Sequence, residues 1–300
     1  MSGSDMTQVV VAAGGLGTRV GQWARFIPKE FYPVDGRPGI THLLEEIAVL
    51  SPAQVVIVYH PYYEAFAAWA RQVLSEHGQA RYAHLAGRDF GAVLPPGLTI
   101  SFVPQRGPYA DLTSVVNGAD HLASPDELYV AFADNLYGDP NPLRALRGTA
   151  PGQVAVLASR YRPELAGSHG VIAATGKPGQ RLMIGLAEKP GPAQARELER
   201  HYGRRNLLLL EGRARLTATF TDFARARISP SHAEPKLALA IAAYAASHPV
   251  RIVETSADVT DLGALAVPDA GSTVSPPATG LAWAGGTMTT AAPGARRSSG

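Results

Sequence analysis

The feature that most constrains this chain is its opening run, Thr7 to Ala13 (TQVVVAA), which is continuously apolar and β-branched and then breaks into Gly14-Gly15-Leu16-Gly17-Thr18-Arg19. A run without polar alternation reads as a strand buried on both faces, the situation of a parallel sheet covered by helices on each side. Glycines directly after such a strand let a ligand approach the backbone, and turned amides offer donors to phosphate oxygens. The loop is therefore a candidate phosphate cradle. It differs from the ATPase loop, which carries Lys and Ser or Thr after its last glycine. The dinucleotide fingerprint fails too, because Val20 stands at the third glycine position.

The pattern then repeats. Thr41 is expected to cap a helix whose apolar face is Leu43, Leu44, Ile47 and Leu50, and Gln54 to Tyr59 reads as a second buried strand. An amphipathic helix from Tyr62 to about Glu76, a strand at Thr99 to Val103, a helix from Thr113 to Leu122 and a strand at Leu128 to Ala133 follow. Beyond the turn Gly138 to Pro142, strands are expected at Gln153–Ser159, Val171–Ala174, Arg181–Glu188 and Asn206–Leu210. A helix at Ala193–Tyr202, another at Lys236–Ser247 and a short strand at Val250–Glu254 complete the pattern. Such alternation predicts an α/β fold, an open and mostly parallel Rossmann-like sheet flanked by helices. Ligands of these sheets bind beyond the carboxyl ends of the strands, where Gly14 to Arg19 and Asp134 would both lie. No internal repeat is found. After Ala266, Ala, Gly, Pro, Ser and Thr dominate without periodicity, so 266–300 is expected to be a flexible C-terminal tail.

Composition removes several classes of function. With 46% apolar residues in a 300-residue chain there is material for a large core, and a formal charge of +2 gives no general attraction for nucleic acid or an acidic membrane. Any anion must be captured locally. Cysteine is absent, which excludes disulfides, a thiolate nucleophile and Cys-based metal centres. Met1 to Asp5 has neither a basic nor an apolar signal pattern, and no uninterrupted apolar run reaches spanning length, so a soluble cytoplasmic protein is expected. The nine histidines show no metal-binding spacing, and the pairs Arg204-Arg205 and Arg296-Arg297 are too small for a nucleic-acid footprint.

With only four lysines in the chain, Lys29, ten residues after Arg19 in a glycine-opened loop, stands out. The segment AAGGLGTRVGQWARFIPKEFYPVDGRP resembles the signature of sugar-1-phosphate nucleotidyltransferases, and of the bacterial UTP-glucose-1-phosphate uridylyltransferases in particular. The resemblance runs to about residue 265. It implies a single nucleotidyltransferase domain over 1–265, with a nucleotide-binding half at about 6–150 and a sugar-phosphate-binding half at about 151–265. It also implies roles for individual residues. Ala13, Gly14, Gly15, Gly17 and Thr18 would bind the nucleotide, Arg19 and Lys29 would act on its phosphates, and Gln105, after TISFV, would read the pyrimidine edge through an amide that both donates and accepts. Asp134, after VAFA, and Asp261, in TDLG, match the two metal-binding aspartates, with Mg²⁺ as the expected cofactor. Gly170 matches a glycine beside the sugar, and Glu188-Lys189-Pro190 a motif whose glutamate accepts sugar hydroxyls and whose lysine holds the sugar phosphate.

Two segments depart from this pattern. After Gln105 the chain reads Arg106-Gly107-Pro108-Tyr109-Ala110-Asp111, where the family has glycines against the base. Ala233-Glu234-Pro235-Lys236 replaces an acidic, glutamine- and threonine-containing helix start. The double glycine of AGGLGTR is closer to thymidylyltransferases, and IPKE to uridylyltransferases. The expected partners are UTP or dTTP and a hexose-1-phosphate, with no nucleic acid, no membrane and a homo-oligomer as an option. A noncatalytic nucleotide-sugar-binding regulator and a nicotinamide-dependent oxidoreductase (from Gly15, Gly17 and Asp35) are the alternatives, the second leaving IPKE and EKP without a purpose.

Overall fold

The computed structural model describes residues 6–51, 53–88, 93–122, 126–228 and 234–264, so the expected tail at 266–300 lies outside the described residues. In chain order the elements are β1 (Thr7–Ala13), β2 (Pro33–Val34), β3 (Arg37–Pro38), α1 (Gly39–Ala48), β4 (Ala53–Tyr59), α2 (Glu64–Val73), α3 (Glu76–Ala86), β5 (Leu98–Pro104), α4 (Asp111–His121) and β6 (Glu127–Phe132). They continue with β7 (Asn135–Tyr137), α5 (Pro142–Arg147), β8 (Val154–Arg160), β9 (Gly170–Thr175), β10 (Leu182–Glu188), α6 (Pro192–Tyr202), β11 (Leu207–Thr217), α7 (Ala218–Arg225), α8 (Leu237–Ala245), β12 (Val250–Glu254) and β13 (Val259–Asp261).

The main sheet is mixed rather than mostly parallel as expected, because the second half pairs largely antiparallel, and it has nine strands in the order β5-β4-β1-β6-β11-β8-β12-β10-β9. The first four are parallel, with β1 between β4 (Val9 opposite Val55) and β6 (Val9 opposite Tyr129). The chain lays β4 and β5 on one side of β1 and then returns to lay β6 on the other. The crevice beyond the carboxyl ends of β1 and β6 is thus the topological switch point at which open α/β sheets bind ligands. In the second half β11 runs antiparallel to β6, β8 and β9, and β10 runs antiparallel to β9 and β12.

Alternation along β1 divides its side chains between two cores. Val10 packs with Val56, Val130 and the inner faces of α4, α7 and α8 (Leu112, Phe220, Ile241), whereas Val9 and Val11 pack with α1 and α5 (Leu43, Ile47, Leu143). Burial on both faces explains why β1 carries no polar alternation.

Several local expectations are corrected. Thr41 does not cap α1: the helix starts at Gly39 after Pro38, and the Thr41 hydroxyl lies one turn inside, donating to the Pro38 carbonyl at 2.7 Å. The expected Tyr62–Glu76 helix is found as α2, and a further helix that was not anticipated, α3, follows it, started by Ser75, whose hydroxyl accepts from the Gly78 amide at 3.0 Å. The expected strand at Asn206–Leu210 runs on through Glu211-Gly212-Arg213 to Thr217 by way of a bulge between Leu210 and Ala214.

Candidate active site

The glycine loop leaves β1 at Ala13 and turns at Gly17, whose φ of +63° is left-handed and suits glycine. Gly14 meets a second demand, since a Cβ there would collide with the Gln105 side chain. Thr18 and Arg19 are exposed at the start of the short helical segment Thr18–Arg25. Tyrosines from other elements brace this loop. The Tyr63 hydroxyl lies 2.5 Å from the Ala24 carbonyl and 3.2 Å from that of Leu16, the Tyr62 hydroxyl donates to Arg25 at 2.8 Å, and the Leu16 amide donates to the Tyr109 hydroxyl at 3.3 Å.

Lys29 runs beneath the loop, with its Cε 3.3 Å from where a Cβ on Gly15 would stand. Its ammonium lies 2.6 Å from Asp134 Oδ2 and 3.4 Å from Glu30 Oε1. Burial works to lower the Lys29 pKa, but attraction to Glu30 and Asp134 prevails and holds it above the ordinary value. Burial dominates at Glu30, whose carboxyl is pushed up to about 7 although Lys29 opposes the change. Glu30 Oε2 is buried without a hydrogen-bond partner.

Asp134 stands two residues beyond β6. The Ala133 amide donates to the Ala12 carbonyl at 3.1 Å, so the ends of β1 and β6 stay joined at the loop. The next residues form β7, which pairs with β13 so that Asn135 faces Asp261, and the Leu262 amide donates to the Asp134 carbonyl at 2.8 Å. Asp261 Oδ1 accepts from the Gly263 amide at 2.7 Å. The Arg19 guanidinium reaches the same turn: a Cβ on Gly263 would lie 2.9 Å from Arg19 Nη2 and 3.0 Å from Asp261 Oδ1. Ala13, Gly14, Gly15, Gly17, Arg19, Lys29, Asp134 and Asp261 therefore form one group.

Behind Asp134 stands an ion pair that sequence reasoning missed. Arg213 and Glu46 meet with two bonds of 2.7 Å, at 0% and 5% side-chain exposure. The same guanidinium donates to the carbonyls of Phe132 (3.0 Å) and Asn135 (2.7 Å), which flank Asp134 on either side. The sequence gives little sign of this pair, because Arg213 lies beyond the strand expected to end at Leu210 and its partner Glu46 is 167 residues away.

Gln105 is buried, and its amide is committed internally. Nε2 donates to the carbonyls of Pro108 (3.2 Å) and Ala110 (3.1 Å), and Oε1 accepts from the Ser114 hydroxyl at 2.8 Å.

The residues expected at the sugar phosphate form a second group. Gly170 and Glu188 are register partners in β9 and β10, with Glu188 Oε2 3.2 Å from where a Cβ on Gly170 would stand. Lys189 is exposed and adopts a φ of +48°, held by its amide donating to the His169 carbonyl at 3.1 Å. Lys236 lies 3.3 Å from Glu188 Oε1, and Asp111 Oδ1 accepts the Leu237 amide at 2.7 Å at the start of α8. Burial raises the Asp111 pKa although the amides of Leu237 and Leu112 oppose it. The two departures from the family pattern, near Asp111 and near Lys236, thus bind each other.

No ion pair among the described residues joins Lys189 to the Asp134 group; what joins the two groups is β11. Its Leu210 packs on Gly170, and its Gly212 lies against Asn135. Between them the Tyr137 hydroxyl donates to Glu211 Oε2 at 2.9 Å and accepts from the Gly212 amide at 3.0 Å.

A glycine loop, two cations and two carboxylates at the switch point of an α/β sheet define a protein of the nucleotide-handling class. The chain belongs to the MobA-like NTP transferase domain family, whose pattern matches residues 9–259. Among solved structures, a UDP-glucose pyrophosphorylase complexed with UDP-glucose superposes with a TM-score of 0.66 at 18% identity, over 86% of this chain and 94% of that one. A Bacillus anthracis protein provisionally assigned as a glucose-1-phosphate thymidylyltransferase does so with a TM-score of 0.62 at 15% identity, over 86% and 90%. These likenesses show the fold. The bifunctional protein GlmU of Paramagnetospirillum magneticum is 40% identical over 58 residues, 19% of this chain and 12% of the length of that relative. No helix among the described residues is long and apolar enough to cross a membrane.

Proposed function

We propose that this protein is a nucleotidyltransferase of the sugar-1-phosphate type that moves a uridylyl group from UTP to a hexose-1-phosphate, glucose-1-phosphate first among them. An oxygen of the sugar phosphate attacks the α-phosphorus of UTP in line, the bond to the bridging oxygen breaks, and pyrophosphate leaves with its electron pair. The observation that carries this reading is the meeting of the glycine loop, Arg19, Lys29, Asp134 and Asp261 beyond β1 and β6. UDP-glucose in the complex of a fold neighbour supports it.

No protein nucleophile is required. The reaction needs two anions held together and compensation for charge that builds on the leaving group. Near-attack positioning is worth on the order of 7–11 kcal/mol. In this reading the loop amides and Arg19 hold the triphosphate, Lys29 neutralises the departing pyrophosphate, and Lys189 holds the incoming phosphate. Glu188 keeps Oε2 for a sugar hydroxyl while Lys236 holds Oε1.

The donor set fits Mg²⁺. Among the described residues no three acidic or histidine side chains converge, but Asp134 and Asp261 are held at one place by the Asn135–Asp261 pairing and by the Leu262 amide on the Asp134 carbonyl. Asp134 keeps Oδ1 while Oδ2 faces Lys29, and Asp261 keeps Oδ2 while Oδ1 caps Gly263. Magnesium is commonly held by one or two carboxylates with substrate phosphates completing its shell. Asp134 and Asp261 would hold the ion, and when bound it would supply neutralising charge beside the phosphates.

Purified protein incubated with each nucleoside triphosphate and several hexose-1-phosphates tests the proposal through pyrophosphate release. UTP or dTTP with glucose-1-phosphate is the expected pair. A second reading, a noncatalytic nucleotide-sugar binder, is favoured by the internal engagement of Gln105 and Glu188; binding without pyrophosphate release would select it.

A further inference from the structure

The segment after Gln105 departs most from the family pattern, and the geometry there assigns it a distinct task. An amide that reads a pyrimidine edge must present a free donor and a free acceptor to the base. Gln105 has no donor left, since its two N–H groups serve the Pro108 and Ala110 carbonyls. Its oxygen takes the Ser114 hydroxyl and backs onto Gly14, and the residue is 6% exposed. These bonds do something else: they fold residues 106–110 into a bridge from the end of β5 to the start of α4.

Tyr109 is carried on that bridge. Its hydroxyl receives the Leu16 amide of the glycine loop, and its ring meets His60 edge-on at a centroid distance of 5.2 Å. The residue is nonetheless 49% exposed. A ring fixed at its tip and one edge on a half-exposed residue is a rigid aromatic platform, and it borders the loop expected to hold the triphosphate.

We propose that Tyr109 is the base platform of the nucleotide site, that Gln105 is a positioning residue which folds the bridge under it, and that the protein consequently discriminates weakly among pyrimidine nucleotides. The proposal rests on the nucleotide-binding part of the function proposed above. Stacking tolerates any base because every base has a π-face, whereas an edge-reading amide separates uracil, with a donor at N3, from cytosine, with an acceptor there.

The test is calorimetric titration of UTP, dTTP and CTP into the wild-type protein and into Tyr109→Ala, Tyr109→Phe and Gln105→Glu, with thermal melts of each and pyrophosphate release followed separately. The wild type is expected to bind the three nucleotides within about threefold of one another. Tyr109→Ala should weaken all three by about tenfold, the usual scale of a lost base stack, and Tyr109→Phe should recover most of that loss. Gln105→Glu should lower the Tm and weaken UTP and CTP in the same proportion, because the bridge is disturbed for both. Unchanged affinity in Tyr109→Ala overturns the proposal, as does a UTP-to-CTP ratio that moves tenfold or more in Gln105→Glu at an unchanged Tm. A wild type that binds these nucleotides but releases no pyrophosphate defeats the transferase reading and leaves the platform to be decided by the same titrations. A wild type that binds none of them defeats both.

Discussion

Glu46→Ala is the most informative single change outside the phosphate-facing residues. Arg213 and Glu46 are buried at 0% and 5% side-chain exposure and share two bonds of 2.7 Å. Truncating Glu46 leaves a fully buried guanidinium without its counter-charge, a change that costs about 3–5 kcal/mol where it has been measured. For a domain of this size that corresponds to a fall in Tm of roughly 6–20 °C. The double variant Arg213→Met with Glu46→Leu removes both charges and keeps similar volume, so it should recover most of the lost stability. It should not recover turnover, because Arg213 also binds the carbonyls of Phe132 and Asn135 on either side of Asp134, and methionine cannot. Denaturant melts and pyrophosphate release on the single and double variants separate the two effects. A loss below about 1 kcal/mol in Glu46→Ala, or full turnover in the double variant, would refute the reasoning.

Lys189→Ala should raise KM for the sugar phosphate and leave KM for the nucleotide nearly unchanged; equal effects on both would place Lys189 elsewhere in the reaction. Asp134→Asn should cut kcat by at least tenfold at saturating magnesium, and normal turnover would remove Asp134 from the metal site. Glu30 predicts a pH effect on stability. Its carboxyl titrates near 7 when folded against an ordinary 4.5, so between these values the folded chain holds a proton that the unfolded chain has lost. Its contribution is fully favourable below the lower value and declines as pH rises through the upper one. Glu30→Gln should flatten that part of a plot of Tm against pH, and an unchanged slope would contradict the assignment.

What could be read from the sequence followed burial and local chemistry. β1 and its glycine loop were legible because burial on both faces forbids polar alternation and because the turn at Gly17 needs a left-handed residue. Asp134 and Asp261 were legible through their match to the family motifs, and the pairing of β7 with β13 sets Asp261 opposite Asn135, the residue after Asp134. α3 escaped detection because it buries none of its residues and so presents no apolar stripe. The second half of β11 went unread because Glu211-Gly212-Arg213 breaks the apolar run after Leu210; the bulge admits the charges and Glu46 and Tyr137 satisfy Arg213 and Glu211. The tyrosine braces were invisible for a related reason, as Tyr63 holds carbonyls 39 and 47 residues away and nothing in its own neighbourhood announces them. Gln105 was found as a residue of interest, but whether its amide is free or spent depends on the fold of the segment after it.

The long strand β11 has an implication for how such a protein can change. One end of it lies against Gly170 and its middle rests on Asn135, next to Asp134. Because side chains on a strand alternate, inserting or deleting one residue between Leu210 and Ala214 would invert the facing of the residues downstream and shift the Gly170 and Asp134 groups relative to each other. Under the function proposed above, new sugar preferences would then have to arise by exchanging side chains along the rim while the spacing of this strand stays fixed, and a chimera that splits the chain within β11 should fail to fold unless the whole of β11 comes from one parent.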